Sequence, residues 1–186
     1  DDPGVTLGTA EIGINLGLTN QVTCSDQDEP NRRDNLTRRY AEPLATAQRA
    51  HKPKRVKAVH AKIANARKDW THKLSTAIML RALLVVVGNV SSTKLAKTPM
   101  AKSVYDASWY DFKAQLAYKA MRLGVRYVEV NEAYSSVTCS TCLQRTGPSG
   151  LRALGVREWA CSHCGSLHNR DLNAAHLILR WGRPTP

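Results

Sequence analysis

Residues 83–87, Leu-Leu-Val-Val-Val, decide the fold class of this chain. A short, wholly apolar and β-branched run predicts a strand that is buried on both faces, and Gly88 ends it. Such a strand needs helices on both sides of its sheet, and helical patterns precede and follow it. The sequence therefore predicts an α/β fold in which a mixed sheet is flanked by helices.

An opening hairpin is predicted ahead of this strand. In residues 12–18 the apolar Ile12, Ile14, Leu16 and Leu18 alternate with small or polar residues, as in a strand with one buried face. A turn at residues 18–20 leads to a second strand in residues 21–25. The polar residues 26–34 are either a loop or a weak third strand, and both alternatives stay open.

Helical patterns fill most of the remaining chain. They begin at Pro43, and Pro53 is expected to separate a short first helix from a longer second one. The apolar face of the long helix is predicted to contain Val56, Val59, Ile63, Ala66, Trp70, Leu74 and Ala77. After a loop at residues 88–103, a second amphipathic helix presents Trp109, Phe112, Leu116, Ala120 and Leu123 on one face. Gly124 is its predicted C-cap, residues 126–130 form a strand, and a last helix spans residues 172–181 with its cap at Asp171 or nearby.

The charge balance favours a polyanionic partner. The chain has 186 residues with 27 Lys and Arg against 15 Asp and Glu, a formal net charge of +12. Nucleic acid fits this excess best. No stretch approaches the roughly 18 consecutive apolar residues of a membrane span, and the first residues show no secretory signal pattern. We therefore expect no membrane partner and a cytoplasmic location.

The positive charge is concentrated on the predicted long helix. Opposite its apolar face lie the candidate nucleic-acid-binding residues Lys54, Arg55, Lys57, Lys62, Arg67 and Lys68. One interpretation is contact with phosphates, independent of base sequence and sensitive to salt. The alternative is an ordinary solvated helix face. Trp70 and Trp109 lie on apolar faces and are expected in the core, so base stacking is not the predicted mode of binding.

Four of the five cysteines form two C-x-x-C pairs separated by 18 residues. This spacing is typical of a zinc ribbon, in which two tight knuckles provide four thiolates to one tetrahedral Zn²⁺. The predicted ligands are Cys139, Cys142, Cys161 and Cys164. His163 and His168 are nearby alternatives, residues 157–161 are a candidate ribbon arm, and Cys24 is expected to pack as a small apolar residue. The competing interpretation is two unrelated pairs of buried or disulfide-bonded cysteines.

Two further motifs, Gly-Ile-Asn-Leu-Gly at residues 13–17 and His-Asn-Arg-Asp-Leu-Asn-Ala-Ala at residues 168–175, complete a pattern. Together with the cysteines they resemble the TnpB family, transposon-encoded RNA-guided DNA nucleases related to type V CRISPR effectors. The resemblance spans residues 11–181. It implies a RuvC-like, RNase H-type domain in residues 1–133 and 171–186, with the zinc ribbon inserted at residues 134–170.

The resemblance also implies a chemistry, namely phosphodiester hydrolysis by two Mg²⁺ or Mn²⁺ ions held by three carboxylates. Here the first of the three positions is Asn15 instead of Asp. The second carboxylate in many relatives is a Glu at the position where this chain has Gly88. In a subset of the family this Glu comes instead from the stretch that corresponds to residues 130–134. The resemblance therefore makes Glu132 the candidate for the second carboxylate, and Glu129 is less favoured. Asp171 is the third carboxylate, and Asn169 replaces the first Asp of the Asp-Arg-Asp motif. The plainer interpretations are a helix N-cap for Asp171 and a solvated loop carboxylate for Glu132.

The functional hypotheses differ in the effect on DNA cleavage that they assign to Asn15. An amide oxygen ligates a metal without charge, so losing one negative charge beside two divalent ions is expected to slow cleavage on the order of 10³-fold or more. The first hypothesis is a nuclease domain that acts on DNA with a guide RNA and whose cleavage is absent or strongly impaired. The second is a nuclease-dead, guide-directed DNA binder that acts by occupancy. The third is a zinc-ribbon module that binds a protein partner.

Overall fold

The central sheet is built around the apolar run at residues 83–87, which lies in strand β3 (Ala82–Gly88). The computed structural model describes residues 8–17, 20–27, 36–89, 108–150, 153 and 155–184. Strand β3 is parallel to β1 (Ala10–Leu16) on one side and to β4 (Arg126–Val130) on the other, and β2 (Val22–Cys24) pairs antiparallel with β1. The strand order is β2-β1-β3-β4, which confirms the predicted mixed sheet and the opening hairpin.

Strand β3 is buried almost throughout. Five of its residues, Ala82 and Leu84–Val87, are at most 3% exposed, whereas Leu83 is 53% exposed near the beginning of the strand. The prediction of a strand buried on both faces is therefore confirmed except at Leu83. Burying both faces of a parallel strand requires a layer of helices on each side, and the chain provides both.

The larger core lies between the sheet and two helices, α3 (Pro53–Arg81) and α4 (Trp109–Leu123). It includes Ile12, Ile14, Leu16, Cys24, Leu74, Ile78, Val85, Val87, Trp109, Phe112 and Leu116. Trp109 is buried and Trp70 is partly buried against this core, so both tryptophans are core residues as predicted. The predicted C-cap is also confirmed, because Gly124 has φ +69° and its N–H donates to the Ala120 carbonyl.

A smaller core lies on the opposite face of the sheet. There Leu84 and Val86 of β3 pack against Ile178 and Leu179 of the last helix, α5 (Arg170–Gly182). This helix approaches β1 closely at Gly13, where a Cβ atom would collide with the Ala175 carbonyl oxygen and the Leu179 side chain. Glycine at residue 13 thus sets the distance between helix and sheet.

A third cluster joins the amino-terminal half of α3 to two short helices, α1 (Leu36–Arg39) and α2 (Ala41–Arg49). Its members are Leu36, Val59 and Ile63, with Tyr40, Leu44 and Ala66 partly buried against them. Pro53 lies in the first turn of α3, where its missing N–H has no cost, and it separates α2 from α3 as predicted. Helix α2 begins two residues before the predicted Pro43.

A buried lysine that the sequence analysis did not identify fastens α3 to α4. Lys119 donates to the Ser75 and Thr76 hydroxyls and to the His72 carbonyl at 2.6–2.8 Å. Burial lowers the pKa of Lys119. The contact satisfies the Ser75 hydroxyl at a buried position of α3. Ala77, which was predicted on the apolar face, is exposed.

Parts of three predictions fall outside the described residues. They are the turn at residues 18–20 except Asn20, the loop or third strand from residue 28 onward, and the loop at residues 90–103. Asp26 and Gln27 follow β2 as part of a turn, since the Gln27 N–H donates to the Cys24 carbonyl. Within the described ranges, no helix has the length and apolar character needed to cross a membrane.

The close contact at Gly13 generates a stability prediction. Replacing Gly13 with Ala forces a Cβ atom into the backbone of α5, so the free energy of unfolding should fall by about 1–3 kcal/mol, as for other overpacked sites. Gly155→Ala is the matched control, because a Cβ there meets nothing within 4 Å, and its effect should stay within about 0.5 kcal/mol. Urea unfolding of both variants measures the difference, and equal stabilities would contradict the packing described.

Candidate active site and metal centre

The four predicted cysteine ligands come together in one cluster. Their Sγ atoms all lie within 4.8 Å of one another, with Cys139 and Cys164 3.7 Å apart and Cys142 and Cys161 3.6 Å apart. A tetrahedral ion with metal–sulfur bonds of about 2.3 Å requires sulfur separations of about 3.8 Å. The cluster therefore fits one metal ion with four thiolate ligands. All five cysteines are free thiols, so the disulfide interpretation is wrong.

The two C-x-x-C pairs fold into knuckles of the same design. In the first, the N–H of Leu143 donates to the Cys139 carbonyl at 2.8 Å, and in the second the N–H of Gly165 donates to the Cys161 carbonyl at 2.8 Å. The residue after each pair has positive φ, +65° at Leu143 and +74° at Gly165. The hydrogen bonds hold Leu143 in a conformation that usually favours glycine.

Neighbouring side chains surround the sulfur atoms. The Nε2 atom of His168 lies 3.0 Å from Cys139 Sγ, and its ring stacks on Trp159 with the ring centroids 4.8 Å apart. Thr146 Oγ1 donates to Cys161 Sγ at 3.0 Å, which lowers the pKa of that thiol. His168 is therefore placed as a hydrogen-bonding neighbour of a cysteine, and the four-sulfur cluster includes neither His168 nor His163.

The second knuckle is supported by a hairpin that runs directly into α5. Its strands are β5 (Glu158–Ala160) and β6 (Leu167–Asn169), paired antiparallel, so the predicted arm at residues 157–161 is confirmed. Asn169, the last residue of β6, is also the N-cap of α5, and its side chain accepts from the N–H groups of Asp171 and Leu172. The cap predicted at Asp171 or nearby is thus Asn169, and the interpretation of Asp171 itself as the N-cap is wrong.

The first knuckle is fastened to α5 by Asn173, which is 2% exposed. Its side-chain oxygen accepts from the Ser140 N–H at 2.8 Å, and its amide donates to the carbonyls of Thr138 at 2.7 Å and Ser135 at 3.2 Å. Because all three bonds are at least partly shielded from water, removing this side chain would leave backbone groups unsatisfied. No sequence pattern predicted this role for Asn173. The available signal was an amide at an inward position of an apolar helix.

Asn15 lies where the three parallel strands end. The register pairs Ile14 with Val87 and Gly88 with Val130, so the next step along β1 places Asn15 beside Gly88. Alternate residues of a strand point to opposite faces, and Ile14 belongs to the core on the α3 and α4 side. Asn15 therefore shares the α5 face with Gly13.

Asp171 lies in the first turn of α5, one helical turn before Ala175, the residue that meets Gly13. Its side chain is 13% exposed. One carboxylate oxygen, Oδ2, accepts from Asn20 Nδ2 at 3.4 Å, which ties Asp171 to the connection between β1 and β2. The packing of α5 thus brings Asp171 to the same edge and face of the sheet as Asn15.

Glu132 reaches this edge from the other side. It follows β4 by two residues, and its Oε2 atom occupies the space beside Gly88 that a side chain at residue 88 would need. That atom is buried without a hydrogen-bond partner among the described residues. Burial raises the pKa of Glu132 to about 7, against an opposing effect of Lys113. The buried oxygen argues against the interpretation of Glu132 as a solvated loop carboxylate.

Glu129, the less favoured candidate, has other partners. Its carboxylate accepts from Lys113 of α4 at 2.8 Å and from the Tyr127 hydroxyl at 2.8 Å. Its strand neighbours Val128 and Val130 pack on the α5 side, so Glu129 faces α4. Glu129, within β4, and Glu132, just after it, therefore lie on opposite faces of the sheet.

The arrangement at the sheet edge fits divalent cations in part. Glu132 and Asp171 offer anionic oxygens, one of them desolvated and unpartnered, and Asn15 offers a neutral amide oxygen. Among the described residues, the only group of three or more His, Cys, Asp or Glu that could hold a metal is the four-cysteine cluster. Asn15 is not one of these residue types, so the sheet edge offers two of them, Glu132 and Asp171.

The predicted basic face of α3 is exposed, with one exception. Lys54, Arg55, Lys57, Lys62 and Lys68 are exposed, whereas Arg67 is half-buried in the groove between α3 and α4. Placing Arg67 opposite the apolar face was therefore wrong. It follows the buried Ile63 by four residues, and that spacing places the two side chains on the same side of a helix.

Comparisons with known proteins agree with these observations. Residues 1–98 match the family model OrfB_IS605, described as "Probable transposase", and residues 109–178 match the Cas12f1-like TNB domain. A "Putative RNA-guided DNA endonuclease" of Streptomyces pristinaespiralis is 34% identical over 94% of this chain and 46% of its own length. The Escherichia coli protein InsQ, of the same description, is 26% identical over 92% of this chain and 48% of its own length.

Solved structures share the fold. The protein in a Cas12f1–sgRNA–target DNA complex superimposes with a TM-score of 0.65 over 96% of this chain and 50% of its own length. The protein in a CRISPR-Cas12f ternary complex superimposes with a TM-score of 0.69 over 96% of this chain and 40% of its own length. Both are 18% identical, so the likeness concerns the fold alone. The chain spans about half the length of the curated relatives it matches most fully. The family model over its first 98 residues and these relatives show that the chain belongs to the OrfB_IS605, or TnpB, family.

Proposed function

We propose that this chain is the nuclease portion of a TnpB-type RNA-guided DNA endonuclease. In this proposal residues 1–133 and 171–186 form a RuvC-like domain and residues 134–170 form its zinc ribbon. The observation that carries the proposal is the buried Glu132 carboxylate, which fills the space beside Gly88 at the edge where Asn15 and Asp171 also lie. A desolvated carboxylate oxygen without a hydrogen-bond partner is costly unless the group is protonated or a cation binds it, and perturbed carboxylates of this kind are typical of functional sites.

In this proposal Asn15, Glu132 and Asp171 would each provide an oxygen ligand for divalent cations. Mg²⁺ or Mn²⁺, when bound, would polarise the scissile phosphate and activate a water molecule. Glu132 and Asp171 supply the negative charge, and Asn15 supplies a carbonyl oxygen from the end of β1. The N-cap at Asn169 and the packing of α5 at Gly13 hold Asp171 in place, whereas the burial of Glu132 keeps one of its oxygens out of water.

Asn15 distinguishes the two functional hypotheses that involve DNA. With one negative charge fewer, the site binds two divalent cations less tightly and stabilises the transition state less, on the order of 10³-fold in rate. We therefore propose that cleavage is absent or strongly impaired in this chain. A guide-directed DNA binder that acts by occupancy is the alternative, and the retained fold around an uncharged residue 15 favours it over a protein-interaction module.

Nucleic acid is the proposed partner of the exposed basic face. The five exposed cations of the predicted face lie between residues 54 and 68 of α3, in the part of the helix that packs against α1 and α2, and residues 50–68 contain no Asp or Glu. Contact with phosphates fits this distribution. One solved structure of similar fold is a Cas12f1 complex with an sgRNA and a target DNA. This supports DNA and guide RNA as the proposed partners.

Zinc is the proposed ion of the cysteine cluster. Four thiolates in a tetrahedral arrangement, without an open position, are typical of structural Zn²⁺ sites. No described residue of 134–170 belongs to the three apolar clusters of the core, and the Trp159 and His168 rings contact each other across the hairpin. Metal binding is therefore expected to supply part of the folding free energy of residues 134–170.

Elemental analysis checks the zinc proposal. Protein purified without chelator should contain close to one zinc per chain, and Cys142→Ser should lower this content and loosen residues 134–170 first, as seen by hydrogen exchange. Cys24→Ala is the matched control, since Cys24 is a buried core thiol outside the cluster and its loss should leave the zinc content unchanged. Well-folded protein with a zinc content near zero would contradict the proposal.

Restoring the missing charge checks the nuclease proposal. Asn and Asp are nearly isosteric, so Asn15→Asp should increase Mn²⁺-dependent cleavage of a single-stranded DNA oligonucleotide by about 10³-fold or more. Adding Glu132→Gln should remove this gain, whereas adding Glu129→Gln, on the opposite face of the sheet, should leave it. Cleavage that depends on Glu129 but not on Glu132 would show that the wrong glutamate was assigned.

Salt dependence checks the nucleic-acid face. The affinity for an oligonucleotide should fall linearly on a log–log plot against salt, and replacing Lys54, Arg55 and Lys57 together with Gln should flatten the slope by about 2. A control triple variant, Arg122, Arg126 and Arg180 to Gln, removes the same charge from exposed positions on other elements and should change the slope by less. Equal effects of the two triple variants would indicate a general charge effect instead of a binding face.

A further inference from the structure

An arginine of the ribbon hairpin contacts the Asp171 carboxylate. Arg157 immediately precedes β5, and its Nη1 atom lies 3.4 Å from both Oδ1 and Oδ2 of Asp171. The arginine side chain is 43% exposed and the aspartate side chain is 13% exposed. A cationic side chain that borders the cysteine hairpin is therefore placed beside a proposed metal-binding carboxylate that is itself largely shielded from water.

The pairing of the hairpin fixes this contact. In the antiparallel register Glu158 faces Asn169, so one step further Arg157 faces Arg170, whose N–H donates to the Arg157 carbonyl at 2.7 Å. Asp171 is the next residue along α5. A shift of the register by one residue would turn the Arg157 side chain to the other face of the hairpin. The contact thus follows from the same strand pairing that supports the second knuckle.

The Arg157 guanidinium group and a divalent cation would both bind the carboxylate oxygens of Asp171. Asn20 donates to Oδ2, and Arg157 approaches both oxygens. A divalent cation bound to either oxygen would lie within several ångströms of the guanidinium charge, and the two cations would repel each other.

We infer that Arg157 is a counter-cation of Asp171 that competes with the divalent metal, so that the ribbon hairpin sets how tightly the nuclease edge binds metal. This inference rests on the proposed function, because it takes Asp171 to be a metal ligand. Arg157 acts through Asp171 and is a positioning residue. Its side chain holds the carboxylate in place without metal and must move away from at least one oxygen when metal binds.

Mn²⁺ binding, measured by electron paramagnetic resonance of the free ion, tests the inference without an activity assay. The Mn²⁺ affinity is measured for four proteins: the unchanged chain, Asn15→Asp, Arg157→Gln, and the double variant that combines Asn15→Asp with Arg157→Gln. Removing the guanidinium should tighten Mn²⁺ binding by about tenfold, the effect expected for one unit charge some 5 Å from a divalent ion at the edge of solvent. Arg157→Lys should keep the affinity within about threefold of the parent.

Two controls separate charge from structure. Arg180→Gln removes the same charge from an exposed position on α5 and should change the Mn²⁺ affinity by less than about twofold. Zinc content and urea unfolding show whether Arg157→Gln keeps the ribbon intact. If Arg157 merely orients Asp171, its removal would weaken Mn²⁺ binding instead of tightening it.

The outcomes distinguish this inference from the proposed function. If Asn15→Asp binds no Mn²⁺, with or without Arg157→Gln, the proposed metal site is wrong and the inference falls with it. If Asn15→Asp binds Mn²⁺ but Arg157→Gln leaves the affinity unchanged or weakens it, the inference is overturned and the proposed function stands. Tighter binding in Arg157→Gln, retained affinity in Arg157→Lys and no change in Arg180→Gln support it.

Discussion

The approach of α5 to β1 at Gly13 determines where the functional parts of this protein lie. Because residue 13 has no Cβ atom, the helix backbone at Ala175 rests directly on the strand. One turn earlier, Asp171 then reaches the edge of the sheet two residues beyond Gly13, at Asn15. The same helix has the ribbon hairpin at its beginning and Asn173 beneath the first knuckle. A wider spacing between helix and strand would separate all of these groups.

The cysteine cluster and the sheet edge are therefore mechanically linked through α5. Asn173 fastens the first knuckle to the helix by three hydrogen bonds, and β6 continues without interruption from the second knuckle into the helix. We propose two roles for residues 134–170, namely to complete their own fold around a metal and to present Arg157 to Asp171. Both roles require that the hairpin register is kept.

Most of the architecture could be predicted from local patterns. The run at residues 83–87, the alternation at residues 12–16 and the cysteine spacing each depend on neighbours in sequence, and the structure bears them out. Errors occurred where the buried face of α3 was assigned to the wrong residues. Arg67 follows the buried Ile63 by four residues and Ser75 follows the buried Thr71 by four, so both lie on the side that packs against α4. Ala77 is exposed. The N-cap, predicted at Asp171 or nearby, is Asn169, because α5 begins where β6 of the hairpin ends.

The site could be predicted only as a set of residues. The motif positions suggested Asn15, Glu132 and Asp171, but their placement on one face depends on strand register and on the glycine contacts, which no local pattern reveals. Neither the buried Oε2 atom of Glu132 nor the Arg157 contact had a sequence signal, since both arise from residues that approach each other only after folding. The division of the chain into a RuvC-like domain and an inserted ribbon stays a prediction.

The central claim is that residues 15, 132 and 171 form a single metal site. The most direct test is a crystal structure of the Asn15→Asp variant soaked in Mn²⁺, with the metal located by its anomalous scattering. The account predicts a metal peak at the carboxyl end of β1 with oxygens of residue 15, Glu132 and Asp171 at about 2.1 Å, and the Arg157 guanidinium displaced from at least one oxygen of Asp171. A peak that lies elsewhere, or one that Glu132 does not reach, would contradict the account.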